Sequence, residues 1–442
     1  MLIDIPLLVR ILDGGTTLWP RVHNRVQSDN PPYTASFVHN IPGPAQGAVA
    51  DCLWWPPVIP PLEELPAHAR VRAHQVAGDS ETGSPPLSPS SSDNGRRGVP
   101  DLGCEMQEPA VTVMLFIPGN PGLVQFYQNF LHTIHTAHPN LGILAHGHLG
   151  HSPRLNRSGE AGNISGQTAS LGIQISSVIE AYDAIVDEYR DIGGCKVVLC
   201  GHSIGAWIAT QVMRARPDAI DGAFLLFPTL SDLAATPNGQ KLRVVLARPT
   251  AYILTALSYI ISIILYPSWL LGLIGLFYGT WPLNQQYVLR SFLRSPRAVF
   301  SALTMGGEEM KIVLSLEAPT SLSRSSVVAP VADILRHEAK RIWVYFGDGD
   351  DWLTERGAKE VFSLLRQNGG ALSDGEVGRK RSKGKFHRSS KAGSRGRPWW
   401  QGVSGEVVFG TDIPHDFCIN HDVVIGQLCS KWLADGGLVV PS

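Results

Sequence analysis

Cysteine is scarce in this sequence, with 6 in 442 residues, and no two of them are spaced as Cys-x-x-Cys. This scarcity argues against a disulfide-stapled scaffold and a zinc ribbon, and it fits a reducing compartment. Charged residues are also few, at 17% of the chain, and 37 Lys and Arg are balanced by 38 Asp and Glu. Nucleic-acid-binding domains usually carry a strong basic excess, so we expect no nucleic-acid partner.

Two stretches lack the apolar residues that a folded core requires. Residues 78–108 begin with a run rich in Ser, Pro and Gly, which predicts a disordered loop. Residues 368–402 include a block at 379–397 with nine Lys or Arg and no Asp or Glu. We interpret this second stretch as a basic disordered insert, because it cannot bury enough apolar area to offset the entropy of ordering.

The remaining chain alternates short apolar runs with longer helical patterns. The predicted strands are 112–117, 141–145, 196–200, 222–227, 341–346 and 406–409, and the predicted helices are 125–134, 174–189 and 206–213. Near-continuous apolar strands that alternate with helices are typical of a parallel sheet covered on both faces. The sequence therefore predicts an α/β fold with a mostly parallel central sheet, whose ligands bind at the carboxyl ends of the strands.

A serine follows the strand at 196–200 in the motif Gly-His-Ser-Ile-Gly. This Gly-x-Ser-x-Gly pattern between a strand and a helix is typical of a nucleophile elbow. The tight turn holds Ser203 in a strained conformation, and Gly201 and Gly205 lack the Cβ atoms that would clash there. The helix behind the turn adds a partial positive charge that favours an oxyanion. We therefore predict that Ser203 is a catalytic nucleophile.

An oxyanion hole needs two backbone donors beside that nucleophile. In this architecture one donor is the N–H of the residue after the serine, which is Ile204 here, and the other comes from the loop after the third strand. That loop is Phe-Ile-Pro-Gly-Asn-Pro-Gly at 116–122, and its prolines and glycines favour a tight turn. We predict that the backbone N–H of Asn120 is the second donor.

An acid is expected next along the chain, at the end of a later strand. The strand at 341–346 is followed by Asp348, Asp350 and Asp351. We favour Asp350 as the triad acid, because the other two fit solvated turn carboxylates or helix caps.

The histidine base is expected after the acid. The strand at 406–409 is followed by His415 and His421. His415 lies on the loop that should overhang the nucleophile, whereas His421 falls where a helix should begin, so we favour His415. It would accept the proton of Ser203, while Asp350 would fix its tautomer and stabilise the imidazolium.

Three further histidines, His146, His148 and His151, follow the strand at 141–145. Imidazole is a common metal ligand, but no acid or cysteine nearby in sequence completes a ligand set. We therefore expect no metal and no cofactor. We predict instead that one of these histidines borders the substrate pocket and that the others are loop residues.

The chain has no charged residue between Arg248 and Arg290. As one helix, its most apolar part at 251–278 would exceed the hydrocarbon core of a bilayer, which is about 30 Å thick, but Pro267 interrupts it. The helical parts on either side of Pro267 are each short for spanning a bilayer. This length favours a kinked hairpin that docks on one leaflet. A buried pair of cap helices and a single spanning helix are the alternatives. A single crossing would put the serine on the opposite side of the membrane from the acid and the base.

Four motifs occur together in this chain. They are FIPGNPGLVQFYQNF at 116–130, VVLCGHSIGAW at 197–207, VYFGDGDDW at 344–352 and IPHDF at 413–417. This set resembles the lipid droplet-associated hydrolase family of the α/β-hydrolases. The resemblance implies an α/β-hydrolase fold with an apolar helical cap insertion, a nucleophile at Ser203 and a base at His415. The family shows one Asp followed by Pro, whereas Asp350 is followed by Asp351 here, so the resemblance leaves these two acids open.

The motifs and the apolar segment define the expected organisation. We predict a hydrolase core at 30–228 and 338–440, and a cap at 229–337 that carries the docking segment 251–278. The expected function is hydrolysis of carboxylic esters of lipids, such as sterol esters or acylglycerols, by a Ser-His-Asp triad through an acyl-enzyme. The expected location is the lipid droplet and the cytosolic face of the endoplasmic reticulum. A droplet coat or tether with marginal activity, and a soluble enzyme for small esters, are the alternatives.

Overall fold

The computed structural model describes the parts of the chain that build the sheet and the cap. These are residues 31–43, 45–58, 111–159, 170–190, 194–318, 320–323, 326–328, 330–367 and 406–439. The predicted loop at 78–108 and the predicted basic insert at 368–402 lie outside the described residues.

A single eight-stranded sheet runs through the described part of the chain. Its strands are β1 (Tyr33–Val38), β2 (Val49–Trp55), β3 (Val111–Ile117), β4 (Leu141–His146), β5 (Cys195–His202), β6 (Gly222–Leu226), β9 (Ile342–Gly347) and β10 (Val407–Gly410). Two short strands, β7 (Thr320–Ser323) and β8 (Ser326–Val328), form a separate antiparallel pair. The order in the large sheet is β1-β2-β4-β3-β5-β6-β9-β10, and from β4 onward every pairing is parallel. The predicted mostly parallel sheet is confirmed.

Helices cover both faces of this sheet and build the cap. They are α1 (Gln128–Ala137), α2 (Pro153–Ser158), α3 (Leu171–Glu188), α4 (Ile204–Ala215), α5 (Pro237–Leu242), α6 (Arg248–Ile264), α7 (Pro267–Phe277), α8 (Leu283–Leu293), α9 (Pro296–Ile312), α10 (Val331–His337), α11 (Glu355–Gln367) and α12 (Asp422–Asp435).

Successive side chains of the central strands enter two different cores. In β3, Val113 and Leu115 pack with α3 and α4 on one face, whereas Met114 and Phe116 pack with α1 and α12 on the other. This division follows from the period of two in an extended strand. Because both faces are buried, the strand reads as a continuous apolar run, which is the pattern by which the sequence predicts it.

The sequence patterns do not predict β1 and β2, which extend the sheet in antiparallel pairing beyond β4. All seven residues of β2 are buried, including Asp51. The carboxylate of Asp51 is tolerated because Arg154 Nη2 donates to its Oδ1 at 2.6 Å and Ser152 Oγ donates to its Oδ2 at 2.6 Å. Both donors lie about a hundred residues further along the chain, so the local sequence gives no sign of them.

The cap is inserted between β6 and β9 and contains α5 to α9. Helix α6 ends at Ile264 and α7 begins at Pro267, so the break falls where proline removes a helical hydrogen bond. Nη2 of Arg294 donates to the Ser262 carbonyl at 2.9 Å, which satisfies one of the last carbonyls of α6. Among the described helices, none combines the length and the apolar character needed to cross a bilayer.

The outer side of α6 and α7 is apolar and exposed. We call this set of side chains the cap apolar surface; it comprises Tyr252, Ile253, Leu257, Tyr259, Ile260, Ile263, Ile264, Tyr266, Trp269, Leu273, Leu276, Phe277 and Tyr278. Monomeric soluble proteins rarely expose so large an apolar area, and such areas usually mark a site of interaction.

Candidate active site

Ser203 lies in the turn between β5 and α4. Its φ of 55° and ψ of −122° are in a region that residues other than glycine rarely adopt. The surrounding backbone is packed so closely that side chains are excluded. A Cβ on Gly205 would lie 2.2 Å from the Ile117 carbonyl oxygen, and one on Gly201 would lie 2.4 Å from the Gly205 carbonyl oxygen. These two glycines therefore allow the strained turn that holds the serine above the sheet.

His415 reaches this serine from the loop after β10. Its Nε2 lies 2.9 Å from Ser203 Oγ, and its side chain is 17% exposed. The alternative histidine, His421, lies instead at the N-terminal cap position of α12. Of the two candidates, His415 is the one that the fold brings to the nucleophile.

Asp350 lies on the far side of the His415 ring, in the loop after β9. Its Oδ2 is 2.8 Å from Nδ1 of His415, and its Oδ1 accepts a hydrogen bond from the Trp352 backbone N–H at 2.8 Å. The Asp350 side chain is only 3% exposed. Both carboxylate oxygens are thus held, and the one that faces the imidazole can fix its tautomer.

The two neighbouring acids point elsewhere. Asp351 is 53% exposed and pairs with Lys241 Nζ at 3.0 Å, and Asp348 is exposed. Geometry therefore favours Asp350 where the sequence left two acids open. The catalytic roles of Ser203, His415 and Asp350 stay predictions, and the distances between them are those that proton transfer requires.

The predicted oxyanion turn runs directly beside the nucleophile. The Gly122 N–H donates to the Gly119 carbonyl at 2.7 Å, and a Cβ on Gly119 would lie 2.9 Å from Ser203 Cβ. Within the described residues, the backbone N–H groups of Asn120 and Ile204 have no hydrogen-bond partner. Both amides are therefore available to an oxyanion, and their roles as donors stay predictions.

A buried chain of hydrogen bonds, which the sequence analysis missed, connects this turn to the base. The Gly119 N–H donates to Tyr127 Oη at 3.2 Å, Tyr127 Oη lies 2.8 Å from His202 Nδ1, and His202 Nε2 lies 2.9 Å from the His415 carbonyl oxygen. Since a carbonyl can only accept, Nε2 of His202 carries the proton and Tyr127 donates to Nδ1. Burial lowers the pKa of His202 well below its usual range, which favours this neutral form.

This chain ties together the oxyanion turn, the elbow and the loop of the base. The signal for it was present in the motifs, as the His of Gly-His-Ser-Ile-Gly and the Tyr that follows the Pro-Gly-Asn-Pro-Gly turn. The two residues are 75 positions apart, and no periodic pattern in the sequence pairs them. The hydrogen bond between Tyr127 and His202 therefore becomes visible only in the folded chain.

The cap also contacts the oxyanion turn. Asn120 Nδ2 donates to the Ala302 carbonyl at 2.9 Å and to Oε1 of Glu309 at 2.9 Å, and both acceptors belong to α9. Glu309 is buried, and burial raises its pKa to about 7. The hydrogen bond from Asn120 opposes this rise, and the neighbouring Glu308 adds to it.

The prediction that His146, His148 or His151 borders the pocket is wrong. All three rings are buried and none lines the cavity that contains Ser203, and burial lowers the pKa of each. Nδ1 of His151 donates to the Pro121 carbonyl at 2.8 Å, so this ring supports the turn from beneath. In the part of the chain that the structure describes, no three His, Cys, Asp or Glu are grouped to hold a metal ion.

A cavity of about 570 Å³ opens above the serine. Ser203, His415 and Asn120 line it together with apolar side chains of the cap. These apolar residues are Leu233, Leu242, Leu246, Leu254, Leu257, Ile261, Trp281, Leu289, Phe292, Leu293, Val299, Ala302, Leu303 and Met310. The cavity therefore suits an apolar ligand that presents one polar group to the serine.

A mostly parallel sheet, a serine elbow after β5, and an acid and a histidine beyond β9 and β10 define the chain as an α/β-hydrolase. The family model described as lipid-droplet associated hydrolase matches residues 110–381, which is more than half of the chain. The chain therefore belongs to this family and is a hydrolase, and the resemblance drawn from the four motifs is confirmed.

Relatives of the same description occur in distant animals. The lipid droplet-associated hydrolase of Drosophila melanogaster is 26% identical over 259 residues, covering 54% of this chain and 74% of that protein. The Rattus norvegicus protein of that name is 32% identical over 162 residues, covering 34% of this chain and 47% of that protein. Among solved structures, the crystal structure of DBJA is similar with a TM-score of 0.46 and 14% identity, covering 75% of this chain and 92% of that chain.

Proposed function

We propose that this protein is a lipid-droplet-associated serine hydrolase that cleaves carboxylic esters of lipids, such as sterol esters or acylglycerols. The observation that carries the proposal is the alignment of Ser203, His415 and Asp350 at an apolar cavity. Oγ of Ser203 lies 2.9 Å from the imidazole, whose other nitrogen lies 2.8 Å from the buried carboxylate.

In the first half of the reaction, Ser203 Oγ attacks the ester carbonyl carbon while His415 Nε2 takes the hydroxyl proton. The oxyanion that forms accepts hydrogen bonds from the N–H groups of Asn120 and Ile204. Asp350 keeps the proton of His415 on Nδ1 and stabilises the imidazolium. The carbon–oxygen bond to the alcohol then breaks, and His415 gives its proton to the departing alcohol, which leaves an acyl-enzyme.

In the second half, water replaces the alcohol. His415 removes a proton from the water as its oxygen attacks the acyl carbon, and the same two amides stabilise the second oxyanion. Collapse of this intermediate breaks the bond to Oγ, and Ser203 regains its proton from His415. The products are the alcohol and the free carboxylic acid, and the enzyme returns to its starting state.

The chemistry of the cavity supports a lipid substrate. Its walls are formed mainly by Leu, Ile, Val, Phe and Met side chains, and burial of each methylene of an acyl chain in such walls contributes about 0.8 kcal/mol. Leu257 lines the cavity and is also 48% exposed within the cap apolar surface. This residue joins the cavity wall to the cap apolar surface, and we propose that an apolar ester enters the cavity on this side, from the lipid phase.

The cap apolar surface supports docking on a lipid droplet. The two helices that carry it contain no charged residue beyond Arg248, and their aromatic rings suit the boundary between head groups and acyl chains. The relatives named as lipid droplet-associated support the same location. A droplet has one phospholipid layer, which a surface-docked hairpin can enter from the cytosol. The cytosolic leaflet of the endoplasmic reticulum offers the same chemistry and is the second proposed location.

Labelling with a fluorophosphonate probe tests the serine hydrolase chemistry. We expect a phosphonyl adduct on the tryptic peptide 197–214, located at Ser203 by mass spectrometry, because His415 makes this hydroxyl nucleophilic only in the folded protein. Heat-denatured protein is the control and should not react. A native protein without an adduct, or equal labelling before and after denaturation, would contradict the proposal.

Flotation with artificial droplets tests the docking surface. Ile264→Asp combined with Trp269→Asp replaces two side chains that are each 74% exposed. Burial of such a side chain contributes about 1.5–3 kcal/mol, so we expect binding to droplets with a triolein core and a phosphatidylcholine layer to weaken about 100-fold or more. Hydrolysis of a short water-soluble ester should stay within about twofold of wild type, because neither residue lines the cavity.

The matched control uses exposed apolar residues outside the cap. Val423 and Val424 on α12 are 47% and 53% exposed, and Val423→Asp with Val424→Asp introduces the same charge. We expect this variant to float with droplets as wild type does. Equal flotation of the cap variant and wild type would show that the cap apolar surface is not what binds the droplet.

A further inference from the structure

We propose that Glu309 is a positioning residue for the oxyanion hole: from the cap helix α9 it holds the side chain of Asn120, and thereby the turn whose backbone N–H is the predicted second donor. This inference rests on the proposed function, since it requires an ester-cleaving site that the oxyanion turn serves. It makes the cap part of the catalytic geometry as well as the wall of the cavity.

One face of α9 is built to hold Asn120. The Ala302 carbonyl and Oε1 of Glu309 each accept a hydrogen bond from Asn120 Nδ2 at 2.9 Å, so both hydrogens of the amide are engaged. The two acceptors are seven residues apart, which places them two turns apart on the same face of the helix. Gly306 lies between them, and a Cβ there would lie 3.3 Å from Asn120 Nδ2. The missing side chain lets the helix approach the turn.

If Glu309 only filled space in the cavity wall, a buried carboxyl group would be an unfavourable choice. Glu309 is 7% exposed and lines a cavity whose other cap residues are mainly apolar. Burial of a carboxyl group is unfavourable unless a partner compensates it, and an apolar residue would fill the same wall at less cost. The raised pKa of Glu309 reflects this burial. The bond to Asn120 gives the residue a function that an apolar side chain cannot supply.

The consequence for catalysis follows from where oxyanion donors act. They stabilise charge that develops only in the transition state, and small displacements of a donor lose much of that effect. Loosening Asn120 should therefore lower kcat while KM changes little.

The test compares Glu309→Leu with Glu309→Gln in the full chain, with a short water-soluble ester as the probe. Leucine removes the acceptor, and we expect kcat per active site, counted by fluorophosphonate titration, to fall about tenfold or more with KM within about threefold. Glutamine keeps an oxygen that can accept from Asn120 Nδ2, so it should recover most of kcat. A packing defect alone would lower the melting temperature and the number of active sites and leave kcat per site unchanged.

Asn120→Ala removes the bond to Glu309 together with the bond to the Ala302 carbonyl, and it keeps the backbone N–H. This variant covers the case in which Glu309→Leu fails to fold. We expect a loss of kcat at least as large as that of Glu309→Leu, and no further loss when Glu309→Leu is added to Asn120→Ala. Two results would overturn the inference, provided that the wild type turns over the ester. One is an unchanged kcat in Glu309→Leu, and the other is losses of kcat that add up in the double variant. A wild-type protein without any turnover would instead contradict the proposed function, so the two failures are distinguishable.

Discussion

Replacement of Ser203 with alanine is expected to lower kcat for lipid-ester hydrolysis by roughly 10⁴- to 10⁶-fold. The variant lacks the oxygen that forms the acyl-enzyme, and what remains is the contribution of the oxyanion amides and of substrate binding. The fold should be unaffected, because the strain at φ 55° is imposed by the surrounding turn. Release of fatty acid from emulsified sterol ester and triacylglycerol, measured with purified protein, gives the result.

A buried serine remote from the site provides the control. Ser177 in α3 donates its hydroxyl to the Gln174 carbonyl at 2.8 Å, and Ser177→Ala should keep kcat within about twofold. Droplet flotation of Ser203→Ala should match wild type, since the cap apolar surface is unchanged. Wild-type hydrolysis by Ser203→Ala would contradict the triad. A wild type that floats but never hydrolyses would leave the coat or tether function as the better explanation.

Much of the core could be predicted because its signals are local. Strand β3 is buried on both faces and is therefore an unbroken apolar run, and the elbow needs two glycines at fixed distances from Ser203. The loops after β9 and β10 then follow from the order of elements in the fold. The sequence could also narrow the acid to Asp350 or Asp351, which are adjacent and chemically identical.

What decided between those acids is long-range packing. The Asp350 side chain is buried against an imidazole 65 residues away, whereas Asp351 lies outward beside Lys241. For the same reason, the sequence does not predict the hydrogen bond between Asn120 and Glu309, which are 189 residues apart. It also does not predict the salt bridge that compensates the buried carboxylate of Asp51 in β2. Patterns of period two or 3.6 report which face is buried, and they do not report which distant polar group completes a contact.

The cap uses one helix for two surfaces, and this explains the unusual composition of the segment. Leu254 and Ile261 of α6 line the cavity, while Ile253, Ile260 and Ile264 of the same helix are exposed. A helix that is apolar all round is expected only where both sides meet an apolar environment. In the proposed function these environments are the acyl chain of the substrate on one side and the droplet on the other.

Substitution of Asp350 with asparagine is expected to lower kcat about 10³- to 10⁴-fold while leaving the shape of the site intact. The Asn Nδ2 group can donate to Nδ1 of His415, which moves the ring proton to Nε2. That nitrogen then faces Ser203 with a proton and cannot accept another, so the general base is lost. Steady-state hydrolysis of a short water-soluble ester, with protein concentration set by absorbance, measures the loss.

Asp351→Asn is the matched control, because it makes the same chemical change one residue away. This carboxylate is 53% exposed and its partner Lys241 is 64% exposed, so loss of the pair should cost little and kcat should stay within about threefold of wild type. Equal losses in both variants would mean that general disturbance of the loop after β9, rather than the tautomer of His415, controls the rate. A large loss confined to Asp351→Asn would assign the acid to the residue that the distances reject. Only the loss confined to Asp350→Asn agrees with a carboxylate that acts through the imidazole, since the two aspartates share their loop and differ in what they face.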